Sequence, residues 1–342
     1  MNTASETEAA QTRWPPPARA ARLHVVTGKG GTGKTTVAAA LALALARDGR
    51  RVLLVEVEER QGIAQLFDLP PLPYAERRIA LAPGGGEVRA LAVDVEAALL
   101  EYFAMFYNLG FAGRTLKKMG AVEFATTLAP GLRDVLLTGK AKECVSRKDR
   151  AGRPVYDAVV LDAPPTGRIV SFLDVTRAMA DLARVGPIHS QSEGVVRLLH
   201  SPLTAVHLVT LREDLPVTET LETVAELAAA DLRPGAVIVN RVRPQWLPDR
   251  SVAAAADGRV DAARIRSGLA SAGVALAPEM IDGLVAETVE HAVRVEVEAA
   301  AMARLRGMGA LLELPNLVDG VDLGTLYELA DALVAQGVGV PE

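Results

Sequence analysis

The sequence predicts an α/β fold, a mostly parallel sheet flanked by helices, on three observations. Short runs rich in Val and Leu alternate with longer helical stretches along most of the 342 residues, the order expected when crossover helices join parallel strands. These runs lack polar alternation, as strands buried on both faces do. Between the first run and the first helix lies a glycine-rich loop, "GKGGTGKT" (Gly28–Thr35), in the strand–loop–helix setting that gives such a loop its meaning.

The first run, "RLHVV" (Arg22–Val26), predicts a strand, and the helix after the loop spans about Thr35 to Arg47. Its apolar stretch, Val37–Ala46, falls short of the ~20 residues a membrane span needs, so a buried core helix is expected. Further strands are predicted at Arg51–Val57, Glu87–Val95, Asp157–Ala163, Thr204–Thr210, Gly235–Arg241 and Gly309–Pro315. Two regions break the alternation. Residues from Glu96 to about Lys148 read as consecutive helices, and Ile169–Ser201 as irregular and partly helical. Each follows a strand, so together they are expected to form a helical cap inserted on one side of the sheet. "RPQWLPDRS" (Arg243–Ser251) reads as a loop. Residues 1–20, polar and proline-bearing, are expected to be a disordered tail, leaving 21–342 as one domain.

Composition narrows the function. Half the residues are hydrophobic, only 4% are aromatic, and the formal net charge is −5. That balance argues against a nucleic-acid binder, which normally shows a basic face. The single cysteine, Cys144, excludes intrachain disulfides, Cys-pair zinc sites and iron–sulfur clusters held within one chain. A reduced, cytoplasmic compartment is the default expectation. The five histidines, His24, His189, His200, His207 and His291, show no spacing that suggests a transition-metal site.

The glycine loop carries the chemistry. In G-x-x-x-x-G-K-[ST], successive N–H groups turn inward to cradle phosphates, and the helix N-terminus adds positive potential. Gly28, Gly30, Gly31, Thr32 and Gly33 would form the cradle for ATP. Lys34 would reach the β- and γ-phosphates, the Thr35 hydroxyl would bind Mg²⁺, and Thr36 would assist at the α-phosphate. A second segment, "VYDAVVLDAPPTG" (Val155–Gly167), delivers Asp162 to the C-terminal edge of the sheet, where a carboxylate can hold Mg²⁺. The loop after it, "APPTG", is placed to sense the γ-phosphate. Lys29 has no evident use over its own loop. From the residues alone it reads equally as a solvated lysine.

"KGGTGKTT" resembles the deviant phosphate loop shared by partition ATPases, septum-site ATPases, the nitrogenase iron protein and the arsenite-translocating ATPase ArsA. The resemblance implies that Lys29 works in trans, reaching the nucleotide of a second subunit much as an arginine finger does. "VVLDAPPTGRIVSFLDV", "EVRALAVDVEAALLEYF", "APGLRDVLL" and "LREDLPVTETLETVAEL" are similar to segments of ArsA and of the guided-entry ATPase that delivers tail-anchored proteins. The nearest likeness is to actinobacterial anion-transporting-ATPase-like proteins. By the same resemblance, Asn240 reads the adenine, and Pro315 and Asn316 belong to a loop closing over the base. A homodimer, or a heterodimer with a paralogous subunit, is implied, with a client such as a membrane-protein helix or a small molecule. The chain departs from the pattern at the second strand. Glu58 stands where the family has an aspartate that positions the attacking water, with Glu56 as the competing candidate. A nucleotide-binding subunit that hydrolyses weakly and partners a paralogue is therefore the alternative expectation.

Overall fold

The computed structural model describes residues 14–107, 131–174 and 187–339. Its eight strands form a single sheet in the order β3-β4-β2-β5-β1-β6-β7-β8. They are β1 (Leu23–Gly28), β2 (Arg51–Glu56), β3 (Arg77–Ala82), β4 (Gly86–Ala92), β5 (Ala158–Asp162), β6 (Thr204–Thr210), β7 (Pro234–Val242) and β8 (Leu311–Pro315). All neighbours pair in parallel except β3 with β4. Every residue of β1, β5 and β6 is buried, which is why their sequences carry no polar alternation.

Each face of the sheet supports its own core. Val26, Leu54, Val160 and Val209 pack under α2 (Lys34–Leu45) and the C-terminal helix, Leu323–Ala335. α2 is buried on all sides from Val37 onward, and its small alanines let it lie flat between the sheet and that helix. Val25, Leu53, Val159 and Leu161 face the other way. They meet Leu137, Ala141 and Cys144 of the helix Leu132–Ser146, Ile169 and Phe172 of the helix Thr166–Leu173, and Leu227 of the helix Asp214–Ala229. Much of the expected cap, including residues 108–130 and 175–186, lies outside the described residues.

Three elements differ from the expectation. The edge strand β3 was not predicted. It starts with exposed Arg77 and Arg78 and leaves Leu81 58% exposed, so it lacks the apolar density that marks inner strands. Between β7 and β8 the chain forms three helices, Asp249–Ala256, Ala262–Ser271 and Pro278–Leu305. The loop read over 243–251 therefore gives way to helix at Asp249. Among the described residues no helix is long and apolar enough to cross a membrane.

The third difference concerns the expected tail. Residues 1–13 lie outside the described residues, but Trp14 is only 2% exposed and is followed by a short helix, α1 (Pro16–Ala20). One large aromatic ring suffices to anchor a polar segment when a pocket accepts it. Here the pocket is a pair of buried histidines: Trp14 stacks on His207 at 4.9 Å and on His24 at 5.9 Å. The Ala236 N–H donates to His207 Nδ1 at 3.0 Å, which leaves the proton of that neutral ring on Nε2. His207 Nε2 then donates to His24 Nδ1 at 3.1 Å. Both rings are neutral, because burial lowers His24 from 6.5 to about 4 and His207 well below its ordinary value.

A pH dependence follows. Between pH 6.5 and about 4 the unfolded chain takes up a proton at His24 that the folded chain refuses. Stability is therefore full above pH 6.5 and falls as the solution is acidified through that window, by on the order of 3 kcal/mol for this ring. We expect the urea midpoint to drop between pH 7.5 and 5. Replacing both histidines with glutamine should flatten the drop. The emission of buried Trp14 reports the loss, since the chain's other tryptophan, Trp246, is already 78% exposed.

Candidate active site

The parallel register brings the C-terminal ends of β2 and β5 level, with β1 running two residues further. Val26 and Glu56 both pair with Asp162, and Gly28 pairs with Val209. The loop Lys29–Gly33 rises from this edge and ends in α2. Gly33 caps that helix with a φ of 89°, and Gly31 has a φ of 88°, a left-handed geometry that costs residues with a side chain. Gly33 also lies so close to Asn240 that a Cβ would come 2.5 Å from its Nδ2. The Thr32 hydroxyl donates to the Lys29 carbonyl at 2.8 Å, holding the turn closed.

Asp162 meets the loop at Thr35, whose hydroxyl donates to Asp162 Oδ2 at 2.7 Å. The other oxygen, Oδ1, is buried and has no hydrogen-bond partner. Burial pushes this carboxyl up to about 7, opposed by the Thr35 hydrogen bond and Lys34, and reinforced by Glu56 and Glu58. Burial also pushes the Lys34 ammonium down, with Asp162 and Glu58 working against that shift. A hydroxyl and an orphaned carboxylate oxygen form the hard oxygen donor set that suits Mg²⁺, so the residues present fit such an ion. Among the described residues no cluster of three or more His, Cys, Asp or Glu side chains could hold a metal.

The segment after β2 shows which glutamate faces the loop. Glu56 is 2% exposed, and its carboxylate accepts from the N–H groups of Gly62 at 3.0 Å and Ile63 at 3.3 Å. It is committed to the start of the short helix Gly62–Leu66. Gln61 has a φ of 56° and Glu59 one of 58°, each costing about 1 kcal/mol. The Gln61 amide holds its bend by bonding both backbone groups of Leu72, at 2.7 and 3.1 Å. This braced turn leaves Glu58, partly buried, within electrostatic range of Lys34. Arg60 Nε stands 3.9 Å from Glu58.

Asn240 is brought to the loop as a strut. Its Nδ2 donates to the Thr32 carbonyl at 2.9 Å, and its Oδ1 accepts from the Arg241 N–H at 2.9 Å. Pro315 and Asn316 stand at the end of β8, where the Asn316 N–H donates to Val242 of β7 rather than to the loop. Thr36 lies in the first turn of α2, half-buried.

Two residues that sequence reasoning missed complete the arrangement. Lys29 pairs with Glu219 of the helix Asp214–Ala229, and Thr166 Oγ1 donates to the other Glu219 oxygen at 3.1 Å. Thr166 lies in the segment read as a phosphate sensor, but nothing in "TETLETVAEL" distinguishes Glu219 from its acidic neighbours.

The family model for anion-transporting ATPases matches residues 21–202, a span that runs from before β1 to just before β6 and contains the loop, Glu58 and Asp162. This chain belongs to the ArsA family of ATPases. A relative named "ATPase BagA", from Mycobacterium tuberculosis, is 62% identical over 95% of this chain and 96% of its own length. A "Putative arsenical pump-driving ATPase 2" of Aquifex aeolicus is 25% identical over 66% of this chain and 81% of its length. "ATPase GET3" of Kluyveromyces lactis is 25% identical over 64% of this chain and 71% of its length. As an ArsA-family ATPase, the chain uses ATP.

Proposed function

We propose that this ArsA-family ATPase is a Mg²⁺-dependent switch that closes as a dimer around ATP and reopens on hydrolysis. The observation that carries this reading is the Thr35–Asp162 contact at the mouth of the glycine loop, with one carboxylate oxygen left over. Thr35 and Asp162 would hold Mg²⁺, which supplies charge neutralisation for the leaving phosphate. Lys34 neutralises the phosphates within the chain, and the loop N–H groups orient them. Glu58 orients the attacking water. It takes this role over Glu56, whose two oxygens are already bonded to backbone N–H groups. Lys29 is supplied to the nucleotide of a second subunit. That subunit is either another copy or a paralogue, and the helices within 96–148 and 169–201 pass the nucleotide state to a client.

The test is ATP turnover per subunit over a wide protein concentration range with Mg²⁺, for wild type and Glu58→Gln. Turnover that climbs with concentration and saturates supports a homodimer. Glu58→Gln should then lower the plateau by about 100-fold while leaving ATP binding within a few-fold. Tight ATP binding with flat background turnover at every concentration would instead favour a subunit that needs a paralogous partner.

A further inference from the structure

Lys29 is held within its own chain. Its ammonium is ion-paired with one oxygen of Glu219, and both side chains are about 70% covered, at 30% and 29% exposure. The second oxygen of Glu219 accepts from Thr166 Oγ1 at 3.1 Å, and Thr166 is itself 4% exposed. One carboxylate therefore links three parts of the site: the glycine loop, the helix Asp214–Ala229, and the segment after β5 at Thr166, four residues past Asp162.

That segment is short and stiff. Between Asp162 and Thr166 lie only Ala163, Pro164 and Pro165, and two consecutive prolines remove most of the backbone slack. The Thr27 hydroxyl of β1 donates to the Pro164 carbonyl at 2.7 Å, and the Ala163 N–H donates to Val26 at 3.0 Å. Ala163 and Pro164 are thus anchored to β1, so a shift of Thr166 relative to Asp162 requires these contacts to move with it or break. With the Thr166 hydrogen bond in place, the Glu219 carboxylate is oriented with its other oxygen on Lys29. Without that bond it is free to rotate.

We propose that Glu219 is a positioning residue for the ATPase cycle: it holds Lys29 against its own subunit and releases it when the Asp162–Thr166 segment shifts. An ammonium cannot keep this ion pair and also enter a partner's phosphate site, so any closure that uses Lys29 must first break the contact with Glu219. A state that weakens the Thr166–Glu219 bond favours closure by the difference in that contact between the two states. What Lys29 does after release rests on the dimer reading above, whereas the hold itself does not.

The experiment is the rate of acylation of Lys29 by an amine-reactive reagent in nucleotide-free protein, read by mass spectrometry with exposed Lys148 as internal standard. Glu219→Gln keeps the shape and removes the charge, and should raise Lys29 labelling by about 3- to 10-fold. Thr166→Val should raise it less, in the same direction. Labelling of Lys34 and Lys140 should stay level in both variants, which a general loosening of the fold would not allow. Unchanged Lys29 labelling in Glu219→Gln overturns the proposal, and so does a rise that Thr166→Val does not share. Sedimentation of the same proteins with ATP separates the two readings. If Lys29 is released in both variants but no protein dimerises, the dimer reading fails and the hold within the chain stands.

Discussion

Replacing Lys34 with alanine is expected to weaken ATP binding by about 100-fold or more, the scale of losing a buried charge-assisted contact to phosphate. This lysine is surrounded by acid: Asp162, Glu58 and, next to Asp162, Glu56. In wild type its ammonium offsets those carboxylates even though burial works against its charge. Without it, the incoming phosphates meet uncompensated negative charge, so binding should fall further than the loss of one contact would suggest. Lys34→Arg restores the charge but replaces a compact ammonium with a longer, planar head, and should recover binding only in part. Titration with a fluorescent nucleotide checks both variants. An affinity for Lys34→Ala within threefold of wild type would remove Lys34 from the site.

Gly28→Ala is expected to cost about 3 kcal/mol of folding stability. Its new methyl group would lie 2.2 Å from the Val209 carbonyl oxygen and 3.0 Å from Thr32 Oγ1. The Val209 carbonyl cannot yield, since it belongs to the inner strand β6 and is paired in register with Gly28 itself. The strain would be relieved by lifting the glycine loop, so nucleotide affinity should fall along with stability. Gly30→Ala is the control. A Cβ there meets nothing within 4 Å and no left-handed φ is required, so its urea midpoint should match wild type. If Gly28→Ala and Gly30→Ala unfold alike, the steric account of the strand end is wrong.

The inner strands, the buried helix after the loop, the loop itself and Asp162 were legible in the sequence. Each is specified locally: the strands by uninterrupted Val and Leu, the loop by the spacing of Gly28, Gly33, Lys34 and Thr35 between a strand and a helix. The edge strand Arg77–Ala82 was not legible, because an edge need only pair on one side and so tolerates arginine. The packing of Trp14 was not either, since its partners, His24 and His207, lie on β1 and β6 and become a pocket only when those strands pair.

The site divides along the same line. By itself the sequence determined which groups are available: a glycine-rich loop, two lysines, an aspartate at the end of a buried strand and a pair of glutamates at the end of the second strand. Only the tertiary structure decided which of those groups meet. It committed Glu56 to the Gly62 and Ile63 N–H groups and left Glu58 within electrostatic range of Lys34. It turned Asn240 into a strut for the loop, and it set Glu219, 190 residues from Lys29 in sequence, against that lysine. The physical reason is range. Propensity and motif geometry act over a few residues, whereas a carboxylate chooses its partner among whatever donors the sheet register and helix packing bring within about 3 Å.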